Sequence, residues 1–397
     1  MTLRFKREDG SDFPDWEEKK LEDITTCLDT LRIPLNEQER SQIKGNIPYC
    51  GANGVVDYIN KYTIDDSIIL LAEDGGHFEE YSTKPIAYQI KGKCWVNNHA
   101  HIIKANPNYD QQFIFYSLEH KDIRSFLSGG TRVKLNKSEM LKIKIKIPIL
   151  EEQEKIANFL SVIDDKLDAL KEKEKLLRKL KQGLLEGLFK KTLRFKKEDG
   201  SDFPDWEEKK LGDISTVSRG ASPRPIADLR WFDVKSTVGW VRISDVTASN
   251  MYLVNTTQKL SEAGIRHSRF IPANSLIMSI CATVGKPVIT TFNTCIHDGF
   301  VHLDKLKIDK YFFYHLLIFL QDKWIDSVQI GSQMNLNTMT VSNKKVIIPP
   351  ILEEQEKIAS FLTTIDEELD ALKEKENRLR KMKQGLLEGL FNHDLKI

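Results

Sequence analysis

"EEQEKIANFLSVIDDKLDALKEKEKLLRKLKQGLLEGLF", from Glu151 to Phe189, decides the architecture of this chain. Ile156, Ile163, Leu170, Leu177 and Leu184 fall at successive sevens, with Leu160, Leu167 and Leu188 on a companion row. A 3.5-residue period of apolar positions among many Glu–Lys neighbours specifies a helix that pairs with another helix. Pro148 suits a helix start, and a segment of ~40 residues makes a rod of roughly 60 Å. Near the far end, Gly183 and Gly187 either admit a partner or begin the fraying. A partner lies in the same chain. The pattern recurs at Ile358, Ile365, Leu372, Leu379 and Leu386 behind Pro349 and Pro350, and residues 149–189 match 351–391 at 33 of 41 positions. Two near-identical rods separated by compact sequence pair most easily antiparallel. Glu174 and Lys181, with Glu376 and Lys383 in the copy, interrupt the companion row. These charges make the second side of the seam too polar for a sealed core, and they read as a face for other subunits.

A second repeat frames the first. "FPDWEEKKLEDI" (Phe13–Ile24) returns as "FPDWEEKKLGDI" (Phe203–Ile214), and residues 2–24 match 192–214 at 21 of 23 positions. Between these constant pieces, 25–148 and 215–350 show no obvious resemblance. Uniform drift would have eroded constant and variable parts alike, so two pieces are kept while the piece between them is exchanged. The period of about 200 residues is too long for a solenoid or propeller and describes two half-proteins in tandem. If each helix packs beside the constant piece that follows it, the C-terminus returns to the N-terminus. The expected fold is α+β: two mixed α/β domains separated by two long antiparallel coiled-coil helices, circular and pseudo-two-fold. The boundaries read as 1–148, the helical spacer 149–190, 191–350 and the second spacer 351–397.

Composition narrows the class. The 397 residues leave room for two or three domains. No apolar run approaches the ~20 residues of a membrane span. The start, "MTLRFKREDGSDF", lacks the apolar stretch of a signal peptide. Cys27, Cys50, Cys94, Cys281 and Cys295 form no CxxC pair, so neither a zinc knuckle nor a disulfide frame is encoded. A reducing, cytoplasmic home is expected. The formal net charge of +1 hides an asymmetry. Lys and Arg outnumber Asp and Glu by 16 to 14 over 25–148 and by 15 to 9 over 215–350, but fall short by 8 to 11 over 351–397. Basic segments beside an acidic one fit a nucleic-acid binder with a separate assembly surface.

The variable segments read as mixed α and β. In "LKIKIKIPIL", Lys142, Lys144 and Lys146 alternate with Ile143, Ile145 and Ile147, a half-buried strand with one basic face. "KCWVNNHAHIIKAN", "GWVRISDVT" and "SLIMSICATVGKPVITT" are further strand candidates. "QQFIFYSLEHKDIRSFL" and "YFFYHLLIFLQDKWIDSV" are helix candidates late in each half, so the two variable segments are expected to share a fold. A polar loop follows each, "SGGTRVKLNKSE" and "IGSQMNLNTMT". Donors there suit phosphates and base edges, although a plain surface turn would read the same way. By residue type and placement, the candidate DNA contacts are Lys44, Tyr49, Asn53, Asn97, Asn98, Arg132 and Lys134 in the first half. In the second they are Arg219, Arg224, Arg242, Arg266, Gln333 and Asn335.

Catalytic signatures do not assemble. "NPNY" (Asn106–Tyr109) lacks the second proline of the adenine-methyltransferase loop and has no glycine-rich cofactor strand. "PDWEEKK" crowds its acids into one turn and recurs in both constant pieces, which fits capping and packing better than a nuclease site. His99 and His101 read as ordinary surface histidines rather than metal ligands. No GxxxxGK[ST] phosphate loop is encoded. Neither catalytic nor metal residues are expected.

The layout resembles the specificity subunit of type I restriction-modification systems. The resemblance rests on "P-x-x-E-x-Q-x-x-I" leading into each helix, "IPILEEQEKIA" (147–157) and "PPILEEQEKIA" (349–359). It rests also on the lead-ins "GGTRVKLN" and "GSQMNLN", and on "IPYCGANGVVDYI", "CWVNNHAHII" and "GWVRISDVT". It covers essentially the whole chain. It implies a non-catalytic reader of double-stranded DNA whose two target-recognition domains each contact one half of a split site, with the helices as a ruler. It further implies two modification subunits forming an S-adenosylmethionine-dependent adenine methyltransferase, and two restriction (motor-nuclease) subunits using ATP and Mg. No cofactor is then expected in this chain. The alternative from another class is a coiled-coil scaffold linking two protein-binding domains.

Overall fold

The structure is a computed structural model and describes residues 4–130, 133–327 and 336–391. Two 40-residue helices, Leu150–Phe189 and Leu352–Phe391, are its longest elements. The chain divides into two compact units, Met1–Lys171 with Lys375–Ile397, and Glu172–Glu374. The division cuts both long helices, so each unit holds the first part of one and the last part of the other.

In the first unit Ile156, Leu160, Ile163 and Leu167 are buried in one core with Leu387 and Leu390. Lys383 on the second helix pairs with Asp164 on the first at 2.8 Å. The ring of Phe391, at the end of the second helix, lies 6.3 Å from Trp16, whose indole N–H donates to Glu152 near the start of the first. The two segments are therefore antiparallel, and the end of the second long helix lies beside the first constant piece. The second unit repeats the plan with Ile358, Ala359 and Leu362 against Leu185, Leu188 and Phe189.

The seam differs in two ways from the heptad reading. Leu185 and Leu387 join the cores off the expected rows, because each terminal segment also packs on its unit's variable domain. Lys181 and Lys383 do not form an outer face. They are largely buried, Lys181 on Asp366 and Lys383 on Asp164 and Glu119. A long side chain can lay its methylenes along the core and still deliver its charge to a partner. The first helix runs unbroken through Gly183 to Phe189, and a Cβ at Gly187 would come within 2.5 Å of the Leu193 side chain. Gly187 therefore admits the following constant piece.

The constant pieces act as supports. Glu17–Lys20 pairs antiparallel with Lys144–Ile147, and Glu207–Lys210 with Lys345–Ile348. The alternation in "KIKI" buries Ile145 and Ile147, while Lys144 meets Glu18 at 2.7 Å. A four-residue helix follows each support strand, Leu21–Ile24 and Leu211–Ile214.

The first variable domain is built on a six-stranded sheet in the order Thr25–Cys27, Ala100–Ala105, Ile64–Ala72, Ala87–Val96, Lys44–Gly51, Gly54–Ile59. The second spreads over a five-stranded sheet (Thr216–Arg219, Phe300–Asp304, Leu276–Ser279, Pro287–Thr290, Tyr252–Leu253) and a four-stranded one (Gln258–Lys259, Gly239–Val241, Thr294–Ile296, Arg269–Ile271). Of "GWVRISDVT", only Gly239–Val241 is strand. Ile243–Ala248 is helix, with the Asp245 carboxylate accepting from the Arg242 backbone N–H at 2.9 Å. A terminal N–H satisfied by a side chain three residues on favours helix over strand.

Unlike sequences nevertheless share a core topology. Leu70 pairs with Ile102 in one unit and Ile277 with His302 in the other, both antiparallel. The parallel pairs Tyr49–Trp95 and Trp240–Cys295 occupy matching positions. The late helices, Gln111–Glu119 and Lys310–Leu320, start on Asp110 and Asp309, each accepting at 2.7 Å from a backbone N–H three residues on. The backbone N–H groups of these two aspartates donate to Gln153 and Gln355 on the long helices at 2.9 and 2.8 Å. Asp309→Ala is expected to cost about 1 kcal/mol through the lost cap, read as a lower thermal midpoint without loss of the fold.

Candidate nucleic-acid interface

Around the tip that joins Thr294–Ile296 to Phe300–Asp304, the second unit forms an open cleft of about 760 Å³. Ser222 to Ile226, Trp240, Arg242 to Ser244, His297 and Asp298 line it. Three of the expected DNA-contacting arginines converge here. Arg224 and Arg242 line the cleft and are exposed, and Arg219 donates to the Asp298 carbonyl at 2.8 Å. Arg242 is steadied by Gln258 at 2.8 Å. Ser222 donates to Asp298 Oδ1 at 3.0 Å, whereas the Arg224 guanidinium stays 4.0 Å from Oδ2. Partial burial pushes the Asp298 carboxyl up, but the Ser222 hydrogen bond and the nearby charges outweigh it and leave it below the ordinary value. His297 is pushed down by burial, and its Nδ1 accepts from the Gly299 N–H at 2.9 Å. It is a neutral ring in the cleft wall. Arg266 is exposed at the end of the short helix Glu262–Arg266, outside the cleft lining. Gln333 and Asn335 lie outside the described residues.

The corresponding tip of the first unit is Asn97–His99. Asn97 is buried, its Oδ1 accepting from the His99 N–H at 2.8 Å, so it shapes the turn and presents no side chain to a ligand. Asn98 is exposed at the tip. Tyr49 is also removed from the surface, since it is 2% exposed with its hydroxyl on the Leu35 backbone. The Leu35 backbone and the Arg40 guanidinium, 5.2 Å from the ring centroid, cover it. Lys44 meets Asp57 at 2.6 Å, and Asn53 donates to the Gly75 carbonyl at 2.8 Å. Arg132 lies outside the described residues. Lys134 meets Glu73 at 2.6 Å.

That last pair belongs to a network the sequence did not reveal. His101 is buried, not a surface residue. Its Nδ1 lies 2.7 Å from Asp29 and its Nε2 2.8 Å from the Leu135 carbonyl. Arg32 bonds Glu73 and lies 3.2 Å from Asp29. Burial raises both acids, but Asp29 gains a hydrogen bond from His101 and Glu73 from Lys134 and Arg32, which leaves both below their usual values. Ligand atoms of Asp29, Glu73 and His101 lie within 4.8 Å of one another, yet Arg32 and Lys134 already supply the positive charge a cation would bring. The network ties the polar loop that follows the late helix, through Lys134 and Leu135, to the ends of two strands. His99, the more exposed histidine, bonds Asp74.

Beneath the variable domains the duplicated residues build the same clamp twice. Glu152 is fully buried and accepts from Trp16 Nε1 at 3.2 Å and Arg4 at 3.3 Å. Glu354, also fully buried, accepts from Trp206 Nε1 at 3.0 Å and from Arg194 at 3.1 Å. Beside each clamp an aromatic pair reaches the surface, Phe5–Phe159 at 5.5 Å and Phe195–Phe361 at 5.6 Å, with Phe159 and Phe361 40% and 42% exposed. Their identity between copies was the available signal, but the heptad rows drew attention to the seam instead.

Two variable heads on duplicated supports, each with a polar tip, define a recognition protein. The model of the type I restriction modification DNA specificity domain matches this chain twice, over residues 14–179 and 204–381. The chain therefore belongs to that family. A putative type I restriction enzyme specificity subunit of Haemophilus influenzae is 28% identical over 359 residues, covering 87% of this chain and 86% of that one. A putative type I restriction enzyme specificity subunit of Methanocaldococcus jannaschii is 24% identical over 426 residues, covering 99% and 97%. In fold, the chain is similar to the crystal structure of a type I restriction-modification S subunit from M. genitalium. That match has a TM-score of 0.65 at 17% identity and covers 98% of this chain and 99% of that one. Among the described residues no helix is long and apolar enough to cross a membrane.

Proposed function

We propose that this chain is the DNA-recognition subunit of a type I restriction-modification complex, each variable domain reading one half of a bipartite duplex site. The observation that carries the reading is the contrast within each unit. The Glu152 and Glu354 clamps are built from matching residues, while the tips above them differ. Identical supports serve identical partners, and unlike tips serve unlike half-sites. Phosphate contacts supply affinity and groove contacts supply sequence.

The paired helices set the half-site spacing, about one turn of duplex (~34 Å) for modules of this kind. Phe159 and Phe361 mark the faces on which two modification subunits dock. Those subunits bring S-adenosylmethionine and the methyl-transfer chemistry. Two restriction subunits bring ATP, Mg, translocation and cleavage, and this chain contributes recognition only, in the cytoplasm. Deleting the chain from cells that retain the modification subunit is expected to abolish adenine methylation at one bipartite motif, read by genome-wide methylation profiling. An unchanged methylome would refute the proposal.

A further inference from the structure

The two tips occupy the same topological position but carry different chemistry. In the first unit Cys50 pairs in parallel with Val96, immediately before Asn97-Asn98. In the second, Val241 pairs in parallel with Ile296, immediately before His297-Asp298. At both tips the first residue accepts the N–H two positions on, at 2.8 Å for Asn97 and 2.9 Å for His297. Asn98 and Asp298 are therefore equivalent positions. Each is the outward residue of its turn.

A carboxylate is an odd occupant of a cleft mouth beside three arginines if the cleft takes only phosphate. It would repel the ligand the arginines attract. Structural duty does not consume it either, since Ser222 holds Oδ1 while Arg224 remains beyond hydrogen-bond reach of Oδ2. A base pair resolves the conflict. Guanine offers two acceptors to a guanidinium in the major groove, and cytosine offers an N4 donor to a carboxylate. An amide at the same place, which both donates and accepts, suits adenine instead.

We infer that Asp298 and Arg224 jointly read a G·C pair in the half-site of the second unit, and that Asn98 reads an A·T pair in the half-site of the first. This rests on the DNA-reading function proposed above and adds which residues choose which bases.

The test uses the full chain assembled with its modification subunits and a randomised duplex library, with recovered sequences aligned into two half-site motifs. Asp298→Asn is expected to weaken selection of one G·C column about tenfold, the scale of one lost base contact, with the other half-site motif unchanged. Asn98→Asp is expected to do the converse, disturbing one A·T column in the first half-site alone. The unaffected half-site in each case reports a folded, assembled subunit. If Asp298→Asn retains every column at wild-type strength, the inference is overturned while DNA reading stands. A wild-type pool that yields no motif overturns the DNA-reading function and the inference together.

Discussion

Glu354→Ala is expected to destabilise the second unit by about 3 kcal/mol, the scale of breaking a buried charged pair. The wild-type carboxylate is fully buried and takes hydrogen bonds from Trp206 Nε1 at 3.0 Å and from Arg194 at 3.1 Å. Truncation leaves a buried indole N–H without an acceptor and a half-buried guanidinium without its carboxylate, and both costs fall on the folded state. Arg194 also donates to the Phe203 and Pro204 carbonyls at 3.3 and 2.8 Å, so part of its anchorage survives. For a unit of this size the thermal midpoint should fall by roughly 6–12 °C. Glu354→Gln keeps an acceptor for Trp206 and should lose less than half as much. Calorimetry on the three proteins decides. Equal losses for Ala and Gln would show that charge, not the indole acceptor, dominates. No loss for Ala would show that the clamp is dispensable. Glu152→Ala should behave alike in the first unit, because Trp16 and Arg4 repeat the contacts.

Much of this architecture could be read from residues because it is encoded locally and written twice. The apolar rows at Ile156 and Ile358 fixed the rods, and their duplication fixed the pairing within each unit. Lys144 and Ile145 gave a strand by simple alternation. Asp110 and Asp309 head helices that were expected at those places, although the caps themselves were not singled out. What escaped reading depends on contacts between residues far apart in sequence. Nothing near His101 announces Asp29 or Glu73, which lie 72 and 28 positions before it and meet it only through sheet pairing and loop closure. Tyr49 reads as a surface aromatic until the Leu35 backbone and the Arg40 side chain cover it. Asp298 carries no sequence signal of its own beside Arg219, Arg224 and Arg242. Its equivalence to Asn98 appears only when two dissimilar segments are aligned by strand register. The seam lysines escape for the same reason, since their acidic partners sit on the other long helix and, for Lys383, also at Glu119 on the late helix.

Those lysines supply the second large effect. Lys181→Met should cost about 3 kcal/mol at neutral pH, again on the scale of an unpaired buried charge, and the deficit should shrink on acidification. Asp366 is held above the ordinary carboxylate value chiefly by burial, with Asp370 adding to the rise, while Lys181 and Arg178 oppose it. An acid whose folded-state pKa is raised binds protons more readily folded than unfolded, so it penalises the fold at neutral pH. The penalty is relieved as pH falls through the folded value and is gone below the unfolded value near 3.8. Removing Lys181 takes away the main opposing charge, which raises the folded value further and widens the window. His315 lies 3.9 Å from Asp366, but burial, with Lys181 adding to the fall, holds it down at about 3, so in the wild type it is neutral from pH 7 to pH 4. Melting wild type and Lys181→Met from pH 7 to pH 4 should therefore show converging midpoints. Parallel curves would mean that Lys181 acts through its packed methylenes alone. Lys181→Met combined with Asp366→Leu should recover most of the loss at pH 7, because well-packed apolar pairs often replace buried ion pairs without cost. If the double variant stays as unstable as the single one, the helix pair needs the charges to hold its register.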